Sequence, residues 1–488
     1  MPMNFIYFGK EPGRMKTAVK SFILIFLSLV VFAACGAHEE ELFDEDFALK
    51  GDKTDLEGAT IKYVRESGGL AFNVGDEEVL GFEMNTVLGD LALQRIKDVQ
   101  NNFNCKLDIV YFSGDAQYTN YRLSNAAGSY YCDIFCGISD RFREYMKAGT
   151  IVGLSQLDGL IDYRNEEKWG TRNVLEVLYW EDDVYGLIPL AWPTSSVSYT
   201  GLTIVNEDLI ASLNTEDPRD LYENGKWTWE TFRDCLEKYY AQEGSEVKHY
   251  ALASVPFDFG ANYLLSNGYR LAEKGPDGNY RSGVNNPAAL AAMNEALDVF
   301  NGPLSYTIDR RNIILAPVED LIAGQTVMGV MHYAEYVADR IVKSMTNFGV
   351  LPWPSGPAVE PGFISSFHMN LERAVVISSL SNNLEATAIA LNALYEPFEE
   401  YPDIESIKDF LHHTYFFDRR DADIYYDMFQ CAQYSYFSTA PFQTLGEWVA
   451  NGQTPTEYIE SRIDKIEEYI AQEIAPSKRG IDNVWKDE

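Results

Sequence analysis

The sequence predicts an α/β fold, and three observations near its start carry that prediction. Ile61, Tyr63 and Val64 in "GATIKYV" suggest a buried strand, and Leu88, Ala92, Ile96, Val99 and Phe103 then recur at helical spacing. "KLDIVYF" follows as a second strand, and "CDIFCGI" as another. This is a strand-helix-strand unit extended by one more strand. The strands are rich in apolar residues, as expected where helices cover both faces of a sheet.

Later helices are marked at their starts. Thr228 can cap "WETFRDCLEKYY", Asn286 with Pro287 opens "AALAAMNEALDVF", and Thr454 with Pro455 opens a long last helix. Ile459, Ile463, Ile466, Ile470 and Ile474 form one apolar stripe on that helix, predicted to dock on the body of the protein. "LAEKGPDGNYRSG" reads as two short strands joined by a bend at Pro276-Asp277-Gly278. The residues show no internal repeat and no low-complexity tract.

Ahead of the fold, Lys16 and Lys20 precede Phe22 to Ala34, a run of thirteen residues without a charge. A bilayer takes about 20 apolar residues, so this run is too short to span one. It fits an export signal, with Ala33 and Ala34 as the small residues before the cut. Residues 1–34 are therefore expected to be a signal peptide, with translation starting at Met15. Residues 35–55 are expected to be a lipidated cysteine and a polar, acidic tether. The segment resembles a bacterial lipoprotein signal, in which Cys35 becomes the N-terminus and carries lipid, although Phe32 stands where that signal usually has Leu. The alternative is an ordinary signal peptide whose cysteine is incidental.

The chain has 74 acidic and 39 basic residues, a net charge of -35. Such a field repels nucleic acid and anionic lipid, which excludes both as partners of the folded part. Besides Cys35 there are five cysteines, which cannot all pair within one chain. Cys132 and Cys136 face the same way on one strand but stand roughly 13 Å apart, too far for a disulfide. They are expected to be small buried apolar residues.

The search for chemistry finds no phosphate-cradling loop, dinucleotide fingerprint, zinc-protease motif, nucleophile elbow or calcium loop. Of six histidines only His412 and His413 are adjacent, and their side chains diverge on a helix, so no metal site and no cofactor are expected. Aromatic residues are abundant instead, with 31 Tyr, 27 Phe and 8 Trp, several in segments that read as loops or strand ends. Trp192 in "PLAWP", Tyr333 and Tyr336 in "MHYAEY", and Trp353 in "LPWPSGP" are such positions. Aromatic faces stack on the C–H faces of sugars while carboxylates and Arg bond hydroxyls; the alternative for each aromatic is packing in a core. Packing is the reading for Trp227 and Trp229, which flank a helix start.

"VYGLIP", "LTIVNEDLI", "DPRDLYENGKWTWETF", "LSNGYRLAEKGPDGNYRSG", "LIAGQTVMGV" with "MHYAEY", and "FGVLPWPSGP" stand in that order along the chain. In this order they resemble the maltose-binding-protein-like, family 1 extracellular solute-binding proteins of bacterial ABC importers, over nearly the whole chain after the signal. The resemblance implies a two-lobed type II periplasmic-binding-protein fold, with a hinge of crossing strands and a ligand cleft between the lobes. It implies one lobe of residues 56–192 plus 353–411 and a second of 193–352 plus 412–488, with crossings near Pro189, Pro352 and His412. By the same resemblance Asp140 and Arg141 in "GISDRF" take the place of an Asp-Arg pair that bonds sugar hydroxyls; a helix-start cap with a surface ion pair is the alternative. The implied function is a monomeric receptor without catalysis, lipid-anchored at Cys35 to the outer face of the cytoplasmic membrane. It would capture a carbohydrate, an oligosaccharide by expectation, and deliver it to importer permease subunits. A peptide or polyamine receptor, a secreted glycan hydrolase and a sensing partner of a membrane kinase are the alternatives.

Overall fold

The strand Ala59–Glu66 is the centre of a four-stranded sheet, with Cys105–Phe112 parallel to it on one side and Ile134–Ile138 parallel on the other. Arg373–Ile377 completes the sheet, antiparallel to Ile134–Ile138, and Leu187 bridges to Val375 beyond it. The computed structural model describes residues 54–67, 78–194, 199–306, 314–368, 373–434, 436 and 453–486. The expected signal peptide, Cys35 and nearly all of the tether lie outside the described residues. Parallel neighbours need a crossover, and the helix Val87–Asn102 supplies the first one. Thr86 caps it by accepting the Gly89 N–H.

A second sheet repeats this order of strands. Glu246–Ala253 is central, with Ser305–Tyr306 parallel on one side and Thr326–Val330 parallel on the other. Thr203–Asn206 then runs antiparallel to Thr326–Val330, and Phe348–Leu351 antiparallel to Thr203–Asn206. In both sheets the central strand precedes and lies between its two parallel partners, and an antiparallel strand joins the later of these, Arg373–Ile377 from further along the chain in the first sheet and Thr203–Asn206 from earlier in it in the second. The molecule therefore contains a repeat of topology that no pattern of residues betrayed.

A small sheet links the two. Ser366–His368 pairs antiparallel with Tyr199–Thr200 and parallel with Ala432–Tyr434. The chain passes through Tyr199–Thr200 into the second sheet and returns through Ser366–His368 to the first. The crossings therefore lie beyond the expected positions near Pro189 and Pro352, and His412 sits inside the helix Ile404–Tyr415. Crossing strands of two or three residues are too short to leave a periodic signal. Gly201, directly after the first crossing strand, has φ +103°, and a Cβ there would meet Asn262 Oδ1 at 2.7 Å. Only glycine fits both demands.

The tail also departs from expectation. The helix Arg419–Gln430 does sit against the second sheet, where Asp421 accepts the Val350 N–H at 2.8 Å and the Arg219 guanidinium at 2.9 Å. The helix Ala475–Val484, however, lies on the first half of the molecule, where Lys478 pairs with Glu176 and Arg479 with Glu181, both at 2.7 Å. Trp485 Nε1 donates to Tyr179 Oη nearby. Glu467, a few turns earlier, accepts the Ser282 N–H of the hairpin Ala272–Lys274 and Tyr280–Ser282, and Lys274 reaches Asp482. The last segment thus touches both halves instead of residing in the second alone. It is also not one helix: Ser461 bonds back to the Tyr458 carbonyl, and the backbone leaves helical geometry at Arg462. Ile466, Ile470 and Ile474 of its apolar stripe are buried.

The buried apolar residues form one continuous cluster with a dense aromatic group beside each sheet. Tyr63, Phe135 and Tyr121 belong to the group at the first sheet, and Trp227, Phe232, Phe259, Tyr263 and Trp353 to the group at the second. Beside the second group, Arg219 is shared by Asp217, Asp421 and Glu207. Burial works against its guanidinium, yet these carboxylates hold it above its ordinary value. Burial outweighs pairing for Asp421 and pushes its carboxyl up to about 6, since it has one cation and one N–H where Arg219 has three carboxylates. Cys105, Cys132, Cys136, Cys235 and Cys431 are free thiols, and Cys132 lies just ahead of its strand instead of in it.

Candidate functional site

In open α/β sheets ligands bind outside the carboxyl ends of the parallel strands. On the first sheet Ala59–Glu66 ends at Glu66, and Ile134–Ile138 runs into the tight helical turn Ser139–Phe142 that carries Asp140 and Arg141. Tyr118 joins these two strand ends, donating to Glu66 Oε2 at 2.6 Å and accepting the Ile138 N–H at 2.6 Å. Burial first, and then the Glu66 carboxylate, hold the phenol well above its usual value, so it stays a donor. The ring can lie here because residue 137 is glycine, whose Cβ would fall 2.4 Å from the Tyr118 hydroxyl. Arg373 Nε approaches the same Glu66 oxygen at 3.3 Å. Arg141 covers the Tyr118 ring at 5.1 Å, pairs with Asp115 at 3.0 Å, and keeps 44% of its side chain exposed. Asp140 is half-buried beside it.

On the second sheet the corresponding ends are those of Glu246–Ala253 and Thr326–Val330. The first leads into the helix Pro256–Ser266, whose opening turn carries Phe257 and Asp258; the second leads into His332 and Tyr333. His332 Nδ1 lies 2.9 and 3.0 Å from the two oxygens of Asp258, which is fully buried. Among the described residues no side chain caps that helix, and Asp258 in its first turn supplies the negative charge its N-terminus favours. Tyr333 meets the His332 ring edge-on at 4.3 Å and Tyr336 at 5.5 Å. This group is mounted on the crossing strands. Thr200 Oγ1 donates to the His332 carbonyl at 2.6 Å, the Ala334 N–H to the Tyr199 carbonyl, and Phe257 packs on Phe367.

The structure therefore brings Asp140 with Arg141 to one sheet end and Tyr333 with Tyr336 to the other, Tyr333 half-buried and Tyr336 buried. Two expected aromatic positions lie in the core instead. Trp192 stacks on Phe398 at 4.4 Å and donates its Nε1–H to the Glu396 carbonyl. Trp353 is 0% exposed and is enclosed by Phe232, Phe259 and Tyr263 at 5.2–5.5 Å. Neither ring has a face open to a ligand. Glu66, Tyr118, Arg373, Phe257, Asp258 and His332 escaped the sequence reading. His332 stood beside Tyr333 in "MHYAEY", but its partner is 74 positions away and no local pattern joins them. Among the described residues no group of His, Cys, Asp and Glu could hold a metal ion, and no helix is long and apolar enough to cross a membrane.

Two α/β sheets of like strand order, linked by paired crossing strands and carrying polar and aromatic groups at their carboxyl ends, define the two-lobed type II periplasmic-binding-protein fold. Solved structures share it. The sugar-binding protein MalE of Xanthomonas citri superposes with TM-score 0.60 at 12% identity, covering 88% of this chain and 100% of that one. An extracellular solute-binding protein of Staphylococcus aureus in complex with maltose gives 0.59 at 12% identity, over 84% and 97% of the two chains. An ABC substrate-binding protein of Listeria monocytogenes in complex with cycloalternan gives 0.54 at 13%, over 85% and 99%. At such identities the likeness is one of fold. No family model matches the sequence, and no curated protein matches it.

Proposed function

We propose that this protein is a solute receptor that takes an oligosaccharide between its two sheets, delivers it to an ABC importer and performs no catalysis. The observation that carries the reading is the repeated sheet with its crossing strands, whose neighbours of like fold include proteins bound to maltose and cycloalternan. Asp140 and Arg141 from the first sheet and Tyr333 and Tyr336 from the second are the contacts we assign; charged donors and acceptors on one side and aromatic edges on the other suit a neutral polyol. The net charge of -35 favours a polyamine as the second reading.

A screen decides between them. A ligand with a dissociation constant of about 1 μM, supplied at about 1 mM, stabilises the native state by roughly 4 kcal/mol, a clear rise in melting temperature. Neutral oligosaccharides are expected to give it. Shifts with peptides or polyamines alone overturn the sugar assignment, and cleavage of a hit by the pure protein overturns the receptor reading.

The same reading places the protein on the outer face of the membrane, held by lipid on Cys35, because the short apolar run and Ala33-Ala34 precede that residue. Cys35→Ala is expected to release the protein from the membrane fraction and to abolish uptake of labelled fatty acid. Retention of the variant, with no label on the wild type, overturns the anchor.

A further inference from the structure

We infer that His332, oriented by Asp258, is a ligand contact of the second sheet and sets which ligand the site accepts; this rests on the receptor reading above and adds to it a residue and a mechanism. A carboxylate with no exposed surface must be matched by a donor or a cation. Among the described residues the ionic partner of Asp258 is His332, whose Nδ1 reaches both oxygens. That contact commits Nδ1 as a donor and fixes the ring, since a neutral imidazole donates from one nitrogen and accepts at the other. Nε2 is then the atom the ring has left to offer.

The placement suits a ligand contact. His332 and Asp258 come from the carboxyl ends of two adjacent parallel strands, and 11% of the His332 side chain is exposed although its partner is sealed. Phe257 and Tyr333 flank the ring edge-on at 6.4 and 4.3 Å. A polar atom between aromatic walls recognises a hydroxyl of a sugar whose C–H faces lie on the rings. A ligand lacking that hydroxyl leaves Nε2 buried and unpaired, and such an unpaired group costs more than the bond gains. His332 is also bonded through its carbonyl to Thr200 of a crossing strand, so a ligand held here pulls directly on the link between the sheets.

Two conservative variants separate contact from scaffold. His332→Asn places an amide where Nδ1 stands, keeps Asp258 bonded and removes Nε2; His332→Gln places an amide near Nε2 and forfeits the bond to Asp258. Each is titrated calorimetrically with maltotetraose and with every hit of the panel of neutral oligosaccharides, monosaccharides, peptides and polyamines. The expected result is that His332→Asn melts within a few degrees of the wild type but binds about tenfold more weakly. His332→Gln is expected to retain more affinity while melting lower. Binding by His332→Asn within twofold of the wild type marks His332 as scaffold and overturns the inference while leaving the receptor reading in place. Hits confined to peptides or polyamines overturn the sugar reading, and the same comparison on those hits still judges His332. A panel in which nothing binds the wild type overturns both.

Discussion

Replacing Trp353 with Ala is expected to destabilise the protein by about 3–5 kcal/mol, the cost of emptying a large buried aromatic site. Its ring is enclosed by Phe232, Phe259 and Tyr263, so a cavity opens in the middle of the aromatic group at the second sheet. Trp353→Phe is expected to cost far less. The indole Nε1–H has no hydrogen-bond partner among the described residues, so Phe discards a buried donor that gains nothing from them. Thermal melts of the two variants check this. Equal melting temperatures for Trp353→Ala and the wild type would return Trp353 to the list of ligand contacts.

The second large effect is expected at Arg219. Arg219→Leu leaves Asp421, whose side chain is 1% exposed, without its cation, and loss of one partner of a buried pair costs about 3–5 kcal/mol. The double variant Arg219→Leu/Asp421→Asn removes the stranded charge and keeps an acceptor for the Val350 N–H, so most of the loss is expected to return. Urea unfolding of the single and double variants measures the difference. If the double variant is as unstable as the single one, the damage comes from lost packing of the guanidinium stem and not from the unpaired carboxylate.

How much of this was legible in the sequence follows from how local each feature is. The opening strand, helix and strands could be read because apolar residues there repeat within a few positions, and the caps at Thr228, Asn286 and Thr454 because a cap acts within one turn. The linking strands could not, because Tyr199–Thr200 and Ser366–His368 are too short to show a period. Trp353 looked like a loop residue since prolines surround it in "LPWPSGP", yet a short chain segment bounded by prolines can still run through a core. For the proposed site, Asp140 and Arg141 were singled out by resemblance and Tyr333 and Tyr336 as aromatics in a loop-like segment. His332 with Asp258, and Glu66 with Tyr118 and Arg373, depend on contacts between distant segments, which one sequence does not display.

The late arrival of one strand of the first sheet bears on how the chain is made. Arg373–Ile377 pairs with Ile134–Ile138 across roughly 235 positions, so the first sheet stays open at one side until most of the polypeptide has been synthesised. Thr203–Asn206 likewise waits for Thr326–Val330. The described strands of the second sheet all come from the contiguous stretch between Thr203 and Leu351, whereas the first sheet cannot be completed until Arg373–Ile377 has emerged, and contacts of such long range make folding slow. A break in the backbone between Leu351 and Ser366 would separate Ile134–Ile138 from Arg373–Ile377, so the first sheet could be completed only by a strand from the other fragment.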